Sequence, residues 1–378
     1  MRSILAVLPL LAGCCLPGGA SSEPPPFGWT LVLAEEPQSA EGRGGTLFAI
    51  GETTAYAVKD GKLLWEHATA GTGGWHAFLP SGCLLIGNGD GLVCLDPASG
   101  EPRWDVSPVV TWPREESGAA LTGPGNATPR GAEVYLDSSR LFVLDEAACA
   151  ARAPGCLTPS SELDAWYHPS AFVVTKGGYR VIAAAKGYDR VIRVEAPDGT
   201  VRAQFAAEEP SGPTLQGDHP LILDAGRLYR MDPAACSPSA AGLAPPCATE
   251  VAVPAGSASW RDFAILPGGG AVLTNGLEVA VMGPNAWLQK PAGSIVAIAG
   301  DHERVYTTLS GGGLLGGGAD PLEARSLLDG EVSWRREIEH TASAGLHSGT
   351  RAIVDGAHVY VLYERFVGEL AGLGVGRP

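Results

Sequence analysis

Long hydrophobic runs and helical periodicity are both missing from this sequence of 378 residues. No apolar stretch approaches the roughly 20 residues of a membrane-spanning helix, and no heptad pattern points to a coiled coil or helix bundle. Charge is scarce: 18% of residues are charged, and only five are lysines. What charge there is leans acidic, with 41 Asp and Glu against 26 Lys and Arg and a formal net charge of −15. Such a surface repels phosphate backbones and argues against nucleic acid as a partner. Cys-x-x-Cys is absent, which argues against zinc ribbons and thioredoxin-like centres. There is no Gly-x-Ser-x-Gly elbow to support a triad hydrolase. The eight histidines, His67, His76, His168, His219, His302, His340, His347 and His358, show no His-Glu-x-x-His or other ligand spacing. The glycine run 311–318 lacks the Lys-Ser/Thr of a phosphate loop. Asn88 and Asp90 lack the later carboxylate of a calcium loop.

Turn formers are what the chain has in excess. Its 52 glycines and 30 prolines make up more than a fifth of the residues, against roughly 12% in average proteins. Between them, short apolar runs rich in β-branched and aromatic residues recur from Thr46 to Tyr363. Many short strands joined by tight turns fit this pattern, and an all-β architecture follows.

The N-terminus reads as an export signal. Arg2 precedes a short apolar stretch, Ile4 to Ala12, which ends in Leu11-Ala12-Gly13-Cys14. Small residues before a thiol resemble the lipobox of bacterial lipoproteins, in which the cysteine is acylated and becomes the mature N-terminus. On this reading residues 1–13 are the signal peptide, Cys14 carries the lipid, and residues 14–28 form a Pro/Gly/Ser-rich tether. An ordinary secretory signal cleaved elsewhere is the alternative. The remaining six cysteines fall into local pairs, Cys83/Cys94, Cys149/Cys156 and Cys236/Cys247. An even, locally paired set is expected to form disulfides in an oxidising compartment. A two-residue Asn88-Gly89 turn would set positions summing to 177 opposite each other and bring 83 against 94. A four-residue loop would break that register. The other two pairs each follow Asp-x-x-x-Cys, where a bridge would pinch an enlarged turn.

An internal repeat organises the remainder, residues 29–378. In three places a strand ends in an Asp/Gly turn and the next strand carries Trp four residues after the glycine. These are Asp60-Gly61 with Trp65, Asp96 and Gly100 with Trp104, and Asp329-Gly330 with Trp334. A weaker copy has Asp198-Gly199 with Phe205 slightly displaced from the Trp position. Degenerate hairpins lie at 133–145, 219–232 and 270–287, and an eighth unit begins at His358. The spacing of about 46 residues matches four-stranded propeller blades. Eight blades are expected, with seven as the alternative. The last unit has too little chain for four strands, and Trp29–Ala34 could supply the missing one and close the ring.

The pattern Asp96-Pro-Ala-Ser-Gly100-Glu-Pro-Arg-Trp104 resembles the pyrroloquinoline-quinone-like β-propeller repeat family, with the turns at Asp60-Gly61 and Asp329-Gly330 read as shortened copies. A lipobox followed by such a propeller is similar in architecture to the propeller lipoprotein of the outer-membrane β-barrel assembly machine. The resemblance implies that the Asp/Gly turn links the two outer strands of a blade and that the Trp packs between blades. Quinone enzymes of the family use adjacent cysteines and calcium carboxylates. Here the only adjacent cysteines are Cys14 and Cys15, outside the repeats, so no cofactor is expected. No catalytic or metal site is assigned either. The expected function is a lipid-anchored, non-enzymatic binding or scaffold module in the bacterial envelope. Its expected location is the outer membrane, facing periplasm or surface, and its expected partners are envelope proteins or an extracytoplasmic ligand. The alternative is an enzyme or carbohydrate-binding protein with a site in the central funnel, for which His76, Trp112, Tyr167 and His168 are the candidate residues.

Overall fold

A computed structural model describes residues 23–88, 91–106, 126–130, 133–137, 141–153, 155–159, 168–186, 188–237, 242–254, 259–283, 285–310, 320–338 and 350–371. Among them, strands pair into eight antiparallel four-stranded sheets. Seven sheets are consecutive in the chain and form blades 1 to 7, at residues 39–68, 76–106, 126–159, 168–207, 211–250, 262–289 and 295–338. Blade 8 takes three strands from residues 351–370 and its fourth from Phe27–Val32. The closing strand therefore exists, beginning at Phe27 rather than at Trp29, so Phe27 and Gly28 belong to the blade and not to the tether. Thr30 lies opposite Gly368, and Val32 opposite Phe366.

Burial explains why the middle strands read as unbroken apolar runs. Thr46–Ile50 and Leu84–Asn88 are buried along nearly their whole length, because each blade is sandwiched between two others. Fourth strands alternate instead: in Lys62–Ala68 only Trp65 is buried. Eight apolar clusters fill eight blade-to-blade interfaces. Phe78 joins Trp65 between blades 1 and 2, and Cys149 joins Cys94 between blades 2 and 3. Val143 meets Ile182 between blades 3 and 4, while Phe205 meets Cys236 between blades 4 and 5. The ring continues with Leu221 and Leu273, then Trp287 and Val305, then Trp334 and Val361. Tyr56 and Tyr360 complete it between blades 1 and 8. First strands of successive blades lie against each other around most of the ring, so they surround the centre. Each runs from an upper end, where the chain arrives from the preceding blade, to a lower end.

The repeat has a mechanical meaning at the lower end. Gly100 adopts φ +73°, and a Cβ there would come within 2.6 Å of the Trp65 indole of blade 1. The Trp65 Nε1–H donates to the Pro97 carbonyl, 2.9 Å away. One blade's fourth-strand Trp thus lies over the next blade's turn, where only glycine leaves room. Trp287 repeats this against Gly330, donating to the Leu327 carbonyl at 3.1 Å. Trp29 sits against Gly61. Trp29 was not placed in the repeat from sequence, because its blade is divided between the two ends of the chain.

The turns themselves differ. Lys59 pairs with Lys62 across a two-residue turn, with Asp60 at φ 50° and Gly61 at φ 72°, the signature of a type I′ hairpin. The turn before Gly330 is not a shortened copy. Gly330 N donates to Ser326 O just as Gly100 N donates to Asp96 O, so Ser326 occupies the place of Asp96. Asp329 instead accepts from Glu331 N, and Asp198 accepts from Thr200 N and Oγ1. Those bonds hold both carboxyls below the usual range. Asp96 accepts from Ala98 N and Ser99 N and is gripped by Arg103 at 2.7 Å. The Arg103 bond is the main cause of its lowered pKa. In blade 4, Ala203 is four residues after Gly199 and Phe205 is six, and both are buried.

Three disulfides join Cys83–Cys94, Cys149–Cys156 and Cys236–Cys247, all at the lower end. The register around the first differs from expectation. Cys94 lies opposite Leu85 and Asn88 opposite Gly91, so paired positions sum to 179 and the bridge is diagonal. Asn88 is held in its strand and not in the turn, accepting from Ala70 N at 3.0 Å and donating to Asp105 at 3.3 Å. Non-reducing peptide mapping of the mature protein is expected to recover these three pairs and no titratable thiol besides Cys15. Free thiols at the six positions would contradict this.

Candidate functional site

The upper mouth of the ring is where side chains from different blades meet. In the first strand of blade 1, Ser39–Arg43, alternation puts Ala40 against blade 8, where it packs with Leu47 and Tyr360. Ser39, Glu41 and Arg43 consequently turn the other way, toward the first strand of blade 2, His76–Phe78. Arg43 lies over the Phe78 ring at 4.3 Å. Ser39 Oγ is 3.0 Å from His76 Nδ1, and Glu41 Oε2 is 3.4 Å from His76 Nε2. His76 is 9% exposed in its side chain and Glu41 48%. The imidazole is thus held between a hydroxyl and a carboxylate that opens to solvent.

Neighbouring groups fix this corner. Arg351, first residue of blade 8, donates to the Pro37 and Gln38 carbonyls at 2.5 and 2.8 Å. Glu35 caps the upper corner of blade 1, accepting from Glu52 N and Thr53 N at 2.9 and 3.0 Å. Burial alone would raise its pKa, but the hydrogen bonds from Thr54, Thr53 and Glu52 outweigh that and hold it low. Thr72, fully buried, donates to Gly51 O. The segments on either side of Ser39 and before His76 are therefore pinned by hydrogen bonds, which orients the three side chains.

Of the funnel residues expected from sequence, only His76 has its side chain described. His168 begins the first strand of blade 4, and no more of it lies within the described residues than its backbone. Trp112 and Tyr167, like Cys14, Cys15, His340, His347 and the glycine run, lie outside the described residues. Sequence reading missed Ser39 and Glu41. Their spacing of two marks one strand face, but their partner is 37 residues away in another blade.

At the lower end, Cys83, Cys94 and Glu146 form a group with metal-ligand chemistry. Both cysteines are in the disulfide, which leaves one carboxylate. Glu146 has other work: it accepts from Ser81 Oγ at 2.7 Å and faces Trp104 Nε1 at 3.4 Å. It begins the short helix Glu146–Ala150, capped by Asp145, which replaces the Asp/Gly turn in blade 3. The indole of Trp104 therefore meets a side-chain carboxylate where Trp65 meets a carbonyl. The Trp334 Nε1 has no such bond among the described residues.

Residues 49–128 match the family model described as outer membrane protein assembly factor BamB. That segment contains the repeats of Trp65 and Trp104. No curated protein matches the chain. Among solved structures, the Dos1 propeller is 11% identical over 79% of each chain, with a TM-score of 0.53. A catalytically inactive virginiamycin B lyase from Staphylococcus aureus is 13% identical over 74% of this chain and 94% of its own, with a TM-score of 0.48. PorZ of Porphyromonas gingivalis is 12% identical over 88% of this chain and 42% of its own, at 0.49. The Dos1 likeness concerns the fold alone: with its eight four-stranded sheets the chain is a β-propeller, and residues 49–128 resemble the quinone-like repeat family.

Proposed function

We propose that the protein is a lipid-anchored propeller of the bacterial envelope that serves as a binding scaffold for other envelope proteins. The observation that carries this reading is the set of three disulfides stitching the lower end of a closed ring. Such bonds persist in oxidising compartments, and a closed ring offers rigid loops with no open sheet edge at its seam. The likeness of residues 49–128 to an outer-membrane assembly factor agrees with it. The tether supports an orientation as well. Pro25 and Pro26 are held at the lower end by Arg336 and Ala371 N, so a lipid on Cys14 tethers that end and leaves the upper mouth presented to partners.

The anchor is tested by Cys14→Ala. The wild type is expected to partition into detergent with the mass of an acylated N-terminus, and the variant to be soluble or unprocessed. Unchanged partitioning and mass in the variant would remove the anchor from this reading.

A further inference from the structure

We infer that Ser39, His76 and Glu41 form a nucleophile–base–carboxylate relay at the upper mouth of the ring that hydrolyses uncharged carboxylic esters. This goes beyond the scaffold reading and does not depend on the lipid anchor. The tautomer of His76 is what carries it. A carboxylate 3.4 Å from Nε2 favours a proton on that nitrogen, since a lone pair facing Glu41 would be repelled. Nδ1 then bears the lone pair, and at 3.0 Å it can only accept from the Ser39 hydroxyl. That is the arrangement a serine nucleophile needs: its base within hydrogen-bond reach and the base oriented by a third group. The two ring nitrogens are used in the opposite order from the familiar triad, but roles follow geometry and not nitrogen labels.

The chemistry balances without any co-reactant except water. Ser39 Oγ bonds to the ester carbonyl carbon as its proton passes to His76 Nδ1. The carbon–oxygen bond to the alcohol then breaks, and the alcohol leaves with that proton. Water attacks the acyl-serine, gives a proton to Nδ1, and the acid departs as Ser39 regains it. Glu41 stabilises the imidazolium in both halves without itself taking the proton. Substrate charge is constrained by the same residues. A half-exposed carboxylate beside the nucleophile, on a chain of net charge −15, repels anionic acyl donors.

The test is covalent labelling of the purified full-length protein with a fluorophosphonate probe, alongside hydrolysis of p-nitrophenyl acetate. The expected result is one label on Ser39, located by peptide mass spectrometry. Ser39→Ala should abolish it, and His76→Asn should slow labelling and hydrolysis by about 10²-fold or more. Glu41→Gln should slow both while leaving the label on Ser39. Ser99→Ala, in a surface turn, should behave as wild type. A folded wild type that takes no label on Ser39, or hydrolysis unchanged in folded Ser39→Ala, would overturn the inference. Melting curves on every variant separate those outcomes from unfolding.

Discussion

Replacing Trp65 by alanine is expected to cost about 3–5 kcal/mol, the range for removing a large buried aromatic. Three effects add. The ring leaves a cavity beside Phe48, whose centroid is 6.1 Å from it. The Pro97 carbonyl loses its donor. The Gly100 turn, left-handed and shaped to receive the indole, loses its cover. Typical domains have roughly 5–15 kcal/mol in total, so denaturant unfolding should report the loss clearly. Trp104→Ala and Trp334→Ala should fall in the same range, with Trp104→Ala also leaving Glu146 without an indole to face. If these indoles instead stacked on a quinone, the variants would stay as stable as wild type and lose a bound chromophore. An absorbance spectrum of the same preparations decides between the two, and no chromophore is expected.

The reason this effect could be anticipated is that Trp and Gly recur at a fixed spacing within single hairpins. Local spacing is legible in a sequence because each hairpin carries both its own Trp and its own glycine, and the repeat then sets one blade's Trp on the next blade's glycine, as Trp65 sits on Gly100. The period of about 46 residues made the blade count and the closing strand legible too, since one unit was a strand short and a spare strand stood at the other end. Register was less accessible. Whether Asn88 turns or stays extended depends on Ala70 and Asp105, one of them in the connection from another blade. The relay at the upper mouth was harder still. Ser39 and Glu41 acquire meaning only when blade 2 brings His76 against them, and no periodicity within either strand signals that encounter. Likewise Ser326 could not be recognised as the equivalent of Asp96, because only its backbone bond to Gly330 defines the role.

The closing strand carries the second large expectation. A chain lacking residues 27–32 should fail to give a stable monomer. Deletion removes Phe27 from the cluster around Trp334 and Val361, and Trp29 and Leu31 from the cluster around Tyr360. At about 1.5 kcal/mol for each of three partly buried side chains, the lower end of the range for large apolar groups, the packing loss alone approaches 5 kcal/mol. Polar losses follow. Glu369 accepts from Trp29 Nε1 at 2.7 Å while its other oxygen meets His358 at 2.6 Å, so deletion leaves that carboxylate half-satisfied. The strand Phe366–Leu370 would then become an exposed edge, a template for pairing with another copy. Light scattering and size-exclusion chromatography should find aggregates or exchanged oligomers, and added peptide spanning residues 23–34 should restore a monomeric peak. Trp29→Ala, which keeps the backbone pairing, should remain monomeric and lose only part of the stability. A deleted chain that stays monomeric and melts like wild type would show that the ring does not need its N-terminal strand, and that the remaining contacts of blade 1 with blade 8, Ala40, Leu47 and Tyr56 around Tyr360 and Arg351 on the Pro37 and Gln38 carbonyls, hold the seam.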